Sequence, residues 1–313
     1  MRSQPTGQSP DNAVVLHRLL PIREVARMTG VNPVTLRAWE RRHGLIQPTR
    51  TASGHRLYSL ADVDDIQRIL GWLERGVAVS KVGRILARDR ASRTESQHPE
   101  VHGAPCWWQR CVRQAVHNFD AAGLDQLFVE LSDAHSPAHV FDQVLMPVWQ
   151  ALQGSQNDFG QTSEWLFLDR YLRAQAMQRL QFDHAHIGLR ILLVPLSRQD
   201  HELELLVTGL LLGAQGMDVT VLAIGQPLDE LALIAERMKP AALVLFSNQS
   251  PTPRLGTRLQ RLAAALACPL LLAGEVSEQT SAELAEGPVM CLGGDGASIP
   301  TRLQQYLAAY RET

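Results

Sequence analysis

Residues 21–58, PIREVARMTGVNPVTLRAWERRHGLIQPTRTASGHRLY, constrain the chain more than any other stretch. Ile22, Val25 and Ala26 fall on one helical face, with Arg23, Glu24 and Arg27 turned outward. Gly30 permits the left-handed backbone that ends such a helix. Asn32 then caps a second helix, and Pro33 occupies its first turn, where no amide donor is needed. This second helix carries Thr35, Arg37, Trp39, Arg41, Arg42 and His43, a cationic set around one large aromatic. That is the profile of a helix that enters the DNA major groove. Residues 47–50 and 56–58 read as two short strands around the turn 51–54, which places His55 and Arg56 on a wing beside the phosphates. Tyr58 is expected to hold the wing and donate its hydroxyl to phosphate, and Trp39 either to pack on sugar or a base edge or to brace the wing. The expected fold of this part is a winged helix-turn-helix.

The skeleton TGV, TLRAWERR, GL and RLY resembles the N-terminal domain of the MerR family of transcription regulators. The likeness continues through the capping box Ser59-Leu60-Ala61-Asp62 to Arg75-Gly76-Val77 and residues 80–86. Trp39-Glu40-Arg41-Arg42, in place of the more usual paired tyrosines, is similar to the CarH/LitR light-responsive branch, whose C-terminal half is of a cobalamin-binding type.

Charge divides the chain in the same place. Residues 1–93 hold 16 Lys and Arg against 8 Asp and Glu, a balance of +8; the remainder holds 14 against 24, a balance of −10. A basic head is attracted to phosphate, and an acidic body is not. The four cysteines, Cys106, Cys111, Cys268 and Cys291, form no CxxC pair and no zinc spacing. No apolar run reaches the roughly 18 to 20 residues of a membrane span, and no signal peptide is apparent. The expectation is a cytoplasmic protein that is not an enzyme and has no membrane partner.

Five segments follow in order. Residues 1–18 are expected to be a disordered tail and 19–87 the DNA-binding domain. Residues 88–105 have no apolar period and read as a linker, replacing the long dimerising helix of many MerR proteins. Residues 106–187 carry four amphipathic segments that predict a four-helix bundle. In residues 188–313 five apolar runs alternate with helical stretches, which predicts a flavodoxin-like α/β doubly wound parallel sheet. A ligand of such a sheet sits beyond the carboxyl ends of the strands.

The resemblance implies where a cobalamin would bind. In that family a histidine after the first strand is the lower ligand of cobalt, within an Asp-x-His-x-x-Gly pattern. Here the stretch is Gln199-Asp200-His201-Glu202-Leu203-Glu204, so His201 and Glu202 remain while Glu204 replaces the glycine. Ser247, Gly274, Gly293 and Gly294 stand where the family has later contacts. Glu164 matches the glutamate of an upper-face Glu-His pair, and Trp165 replaces the histidine. Indole nitrogen donates a proton and ligates no metal. His201 is therefore open to three readings: a surface histidine at a helix start, a cobalt ligand, or another polar role.

Two functions compete. The first is a DNA-binding regulator, expected to be a repressor, that reads a pseudo-palindromic operator as a dimer or higher oligomer. Its C-terminal half serves association and control by a protein antirepressor or photosensor, with cobalamin binding lost or weakened. The alternative is a repressor that binds adenosylcobalamin directly and responds to light.

Overall fold

The computed structural model describes residues 19–51, 53–95, 104–154, 159–182 and 188–311. The expected tail 1–18, residues 96–103 of the expected linker and Ala52 of the turn lie outside the described residues.

The chain forms two compact units. The N-terminal unit opens with β1 (Leu20–Pro21) and α1 (Ile22–Thr29). Gly30, at φ 73°, ends α1 and its N–H donates to the Ala26 carbonyl at 2.9 Å. The Asn32 side chain accepts from the Val34 N–H at 2.9 Å and starts α2 (Pro33–Ala38). The helix then widens into a π turn, Trp39–His43, which Gly44 ends at φ 59°. Strands β2 (Thr49–Arg50) and β3 (Arg56–Tyr58) complete a three-stranded antiparallel sheet of order β1-β3-β2. Helix α3 (Leu60–Glu74) begins at the capping box read from the sequence, Ser59 and Asp62 each accepting from the other's backbone N–H. Its partner α4 (Val79–Glu95) runs past residue 87, into the stretch where the sequence suggested a linker. Residues 88–95 lack an apolar period, but they also lack Gly and Pro, and arginine, alanine and glutamate have good helix propensity. The core gathers Leu20, Val25, Leu36, Trp39, Ile46, Tyr58, Ile66, Ile69 and Val82.

The second unit starts with α5 (Pro105–His117) and α6 (Ala121–Ala134). A short α7 (Pro137–His139) leads through a π segment, Val140–Leu145, into α8 (Met146–Gly154), and α9 (Gln161–Phe182) follows. Their core includes Trp108, Val112, Phe128, Phe141, Trp149, Leu168 and Leu172. Strands β4 (Arg190–Pro195), β5 (Asp218–Val221), β6 (Ala242–Phe246), β7 (Leu270–Ala273) and β8 (Val289–Gly293) form an all-parallel sheet of order β5-β4-β6-β7-β8. Counted within the sheet this is 2-1-3-4-5, the flavodoxin-like order, with its switch point between β4 and β6. Helices α10 (Glu202–Gly213) and α14 (Ile299–Arg311) cover one face; α11 (Leu231–Met238), α12 (Leu255–Ala265) and α13 (Glu275–Leu284) cover the other. Leu203, Leu206, Val207 and Leu210 of α10 join the core of the preceding helices. The helical part and α10, which the sequence reading placed in separate domains, thus share one buried cluster.

Candidate nucleic-acid interface

Helix α2 and the π turn present Arg37, Arg41, Arg42 and His43 to solvent, with Thr35 half-buried beside them. Among the described residues the three arginines have no hydrogen bond or ion pair, so their guanidinium donors are open. Trp39, three residues after the buried Leu36, faces inward, while the next four side chains face out or stand at the rim. Trp39 is 6% exposed and Tyr58 0%. Both belong to the core, which corrects the reading of Trp39 as packing on sugar or a base edge and of the Tyr58 hydroxyl as a phosphate donor, and leaves the other reading of each, a side chain that braces the domain from within. Among the described residues the buried Tyr58 hydroxyl has no hydrogen-bond partner, and burial pushes its pKa up.

The hairpin β2–β3 is tied to this helix by Glu40. Its carboxylate accepts from Arg56 Nε at 2.5 Å, from Arg56 Nη2 at 3.3 Å and from Arg50 Nη2 at 2.8 Å. The Arg56 hydrogen bond holds the Glu40 carboxyl below the usual carboxylate range. Arg56 is therefore a half-buried clamp, while His55 at the hairpin remains exposed. Sequence reasoning missed Glu40. The available signal was that it is the one acidic residue between positions 25 and 61.

A second site lies at the carboxyl ends of β4 and β6. Asp200 accepts from the Ser247 hydroxyl at 2.6 Å and from the Ser197 N–H at 2.8 Å, and burial pushes its carboxyl up. His201, at the start of α10, meets three side chains of the preceding helices. Gln153 Nε2 lies 2.6 Å from His201 Nε2, and the rings of Trp149 and Trp165 stand edge-on at 5.3 and 5.9 Å. An amide NH2 only donates, so His201 Nε2 is the acceptor. Trp149 is itself fixed by donating to Asp169 at 3.0 Å. Glu202 accepts from Arg173 at 2.8 Å, and Glu164 faces His117 at 3.1 Å. Glu204 accepts from Asn248 at 3.0 Å, with its pKa raised by burial. Gly274 has φ 88°, and a Cβ there would stand 2.3 Å from the Ser247 carbonyl oxygen. The Gly293 and Gly294 N–H groups donate to Ser277 and Glu278 at 3.0 and 2.9 Å. The structure thus brings Trp165 to His201, and it gives the other residues of the sequence-derived set partners within the protein. Among the described residues no three His, Cys, Asp or Glu side chains gather as metal ligands, and no helix is long and apolar enough to cross a membrane.

Residues 20–89 match the family model for the MerR HTH family regulatory protein. These residues are a MerR helix-turn-helix domain. The chain is also 51% identical over 141 residues to the HTH-type transcriptional regulator MlrA of Salmonella typhimurium, a match covering 44% of this chain and 54% of that protein. It therefore spans about half the length of the MlrA relative. The HTH-type transcriptional repressor CarH of Myxococcus xanthus is 26% identical over 232 residues, which cover 71% of this chain and 77% of that one. Among solved structures, the Methanosarcina barkeri monomethylamine corrinoid protein aligns with a TM-score of 0.48 and 16% identity, over 62% of this chain and 96% of that one. Both sequence relatives carry the names of transcriptional regulators.

Beyond the MerR domain, the His201 position raises the question of a corrin, and the residues present do not fit one. The lone pair that would bind cobalt accepts from Gln153, and two indoles stand against the ring. The position where the family pattern has glycine carries the buried Glu204 side chain, hydrogen-bonded to Asn248.

Proposed function

We propose that this chain is a sequence-specific regulator of transcription that binds double-stranded DNA and needs no cobalamin to do so. The observation that carries the reading is the open cationic face of the MerR domain, Arg37, Arg41 and Arg42, on a helix clamped to its hairpin by Glu40. Phosphate neutralisation by such a face supplies affinity, and the helix supplies register in the major groove. Two copies related by a two-fold axis would read a pseudo-palindromic operator. The name of the CarH relative favours repression. The acidic second unit then serves self-association and docking of a controlling protein, an antirepressor or photosensor. Its interior contacts around His201 favour a cofactor-free state.

The second reading, an adenosylcobalamin-dependent and light-responsive repressor, is favoured by His201 standing at its family position after the first strand of the sheet. Gln153, Trp149, Trp165 and Glu204 oppose it.

The test is selection from a random duplex library with purified protein, in the dark and without cofactor. Enrichment of a two-fold symmetric sequence is the expected result. Retention of DNA without sequence preference would sink the regulator reading.

A further inference from the structure

Val34 is 67% exposed on the DNA-facing helix, the highest exposure among the large apolar side chains of the described residues. A single exposed aliphatic is ordinary on a protein surface. Here its position is not. Val34 is the second residue of α2, and the N-terminal residues of a recognition helix are those that reach base edges. A β-branched side chain at a solvated helical position adds no helix propensity, so local structure gives no reason for it.

Its neighbours narrow what it can meet. Asn32 would be the residue type for an adenine edge, but its side-chain oxygen accepts from the Val34 N–H at 2.9 Å. That bond ties the Asn32 side chain to the start of the helix as its cap. Arg37, three residues on, shares the face of Val34 and is open among the described residues. A valine side chain has no hydrogen bond to offer phosphate or sugar. The one apolar group that a base pair displays in the major groove is the C5-methyl of thymine.

We propose that Val34 reads a thymine methyl in each operator half-site, beside a base pair read by Arg37, for which guanine is the matching bidentate partner. This inference rests on the DNA-binding reading above.

Full-length protein and the operator obtained by selection supply the test. Each thymine of a half-site is replaced in turn by deoxyuridine, which removes only the methyl group. One replacement per half-site should weaken binding about fourfold, the factor for burial of one methyl-sized group. Val34→Ala should bind more weakly and lose its response to that same replacement, whereas Arg37→Ala should keep it. Because Val34 is exposed, its truncation leaves the core intact. Indifference to every thymine methyl, or a Val34→Ala variant as sensitive as the parent, would overturn the assignment while leaving DNA binding in place. A selection that enriches nothing would remove the DNA-binding reading, and the Val34 assignment with it.

Discussion

The Glu40 carboxylate holds the Arg56 guanidinium at 2.5 Å across sixteen residues of sequence. Arg50 joins the same carboxylate at 2.8 Å, so the π turn of the recognition helix and both strands of the hairpin meet at one side chain. Helix and hairpin are thereby held in one arrangement. Arg56, which the sequence placed on phosphate, acts first as a structural cation.

Glu40→Gln should lower the stability of the MerR domain by about 1 kcal/mol at neutral pH, the scale for a well-aligned bidentate pair. The Glu40 carboxyl is held below its ordinary range by Arg56, so the contribution is present above the unfolded-state pKa and is lost as pH falls through the lowered folded value. The stability gap between the parent and Glu40→Gln, followed by thermal unfolding across pH, should close under acid. A gap independent of pH would mean that Glu40 acts through shape rather than charge.

Arg41→Ala and Arg42→Ala should each weaken operator binding and reduce the slope of log affinity against log salt by about 0.9, one phosphate contact apiece, whereas Arg37→Ala should weaken binding and relax the preference at its base pair. Arg56→Ala should differ: affinity falls because the hairpin loosens, with little change of slope. A salt titration by fluorescence anisotropy separates the two behaviours.

Tyr58→Phe should bind the operator as the parent does and melt at the same temperature or slightly higher. Among the described residues its buried hydroxyl has no partner, and removing an unsatisfied buried group relieves a cost of about 1 to 3 kcal/mol. Trp39→Ala, by contrast, should unfold the MerR domain, since truncating a buried tryptophan costs about 3–5 kcal/mol. A Tyr58→Phe variant with tenfold weaker operator affinity would restore the phosphate role.

Glu204→Gln should stabilise the second unit at neutral pH. Burial raises the Glu204 pKa, with Asp200 and Glu275 adding to the rise and His201 and Asn248 opposing it. A carboxyl raised in the folded state contributes stability below its unfolded pKa and loses it as pH climbs through the folded value. The advantage of glutamine should therefore grow from the ordinary carboxylate range upward, as read by chemical denaturation at several pH values. Equal stability at all pH values would contradict the buried placement of this side chain.

Much of this architecture was legible in the residues. Gly30, Asn32 and Pro33 marked the turn between α1 and α2, and the apolar runs from residue 190 onward marked the five strands, because caps and periodicity act locally. What was not legible depended on distant partners. Nothing local distinguishes a tryptophan on DNA from one in the core, and Trp39 joins a core that is assembled from the whole domain. Glu40 drew no role from the sequence because Arg50 and Arg56 come to it only after the hairpin folds back. His201 was recognised by its place after the first strand of the sheet, but Gln153, 48 residues earlier, could not be paired with it from spacing alone. The same holds for α4: a missing apolar period argued for a linker, while helix propensity carried the chain on to Glu95.

The most direct measurement is operator affinity of the full-length protein in the dark, with and without saturating adenosylcobalamin, and again after illumination. The account predicts tight, sequence-specific binding without the cofactor, and the same affinity under all three conditions. Binding that appears only with adenosylcobalamin and disappears in light would contradict it, and would mean that Gln153 and the two indoles give way to a corrin over His201.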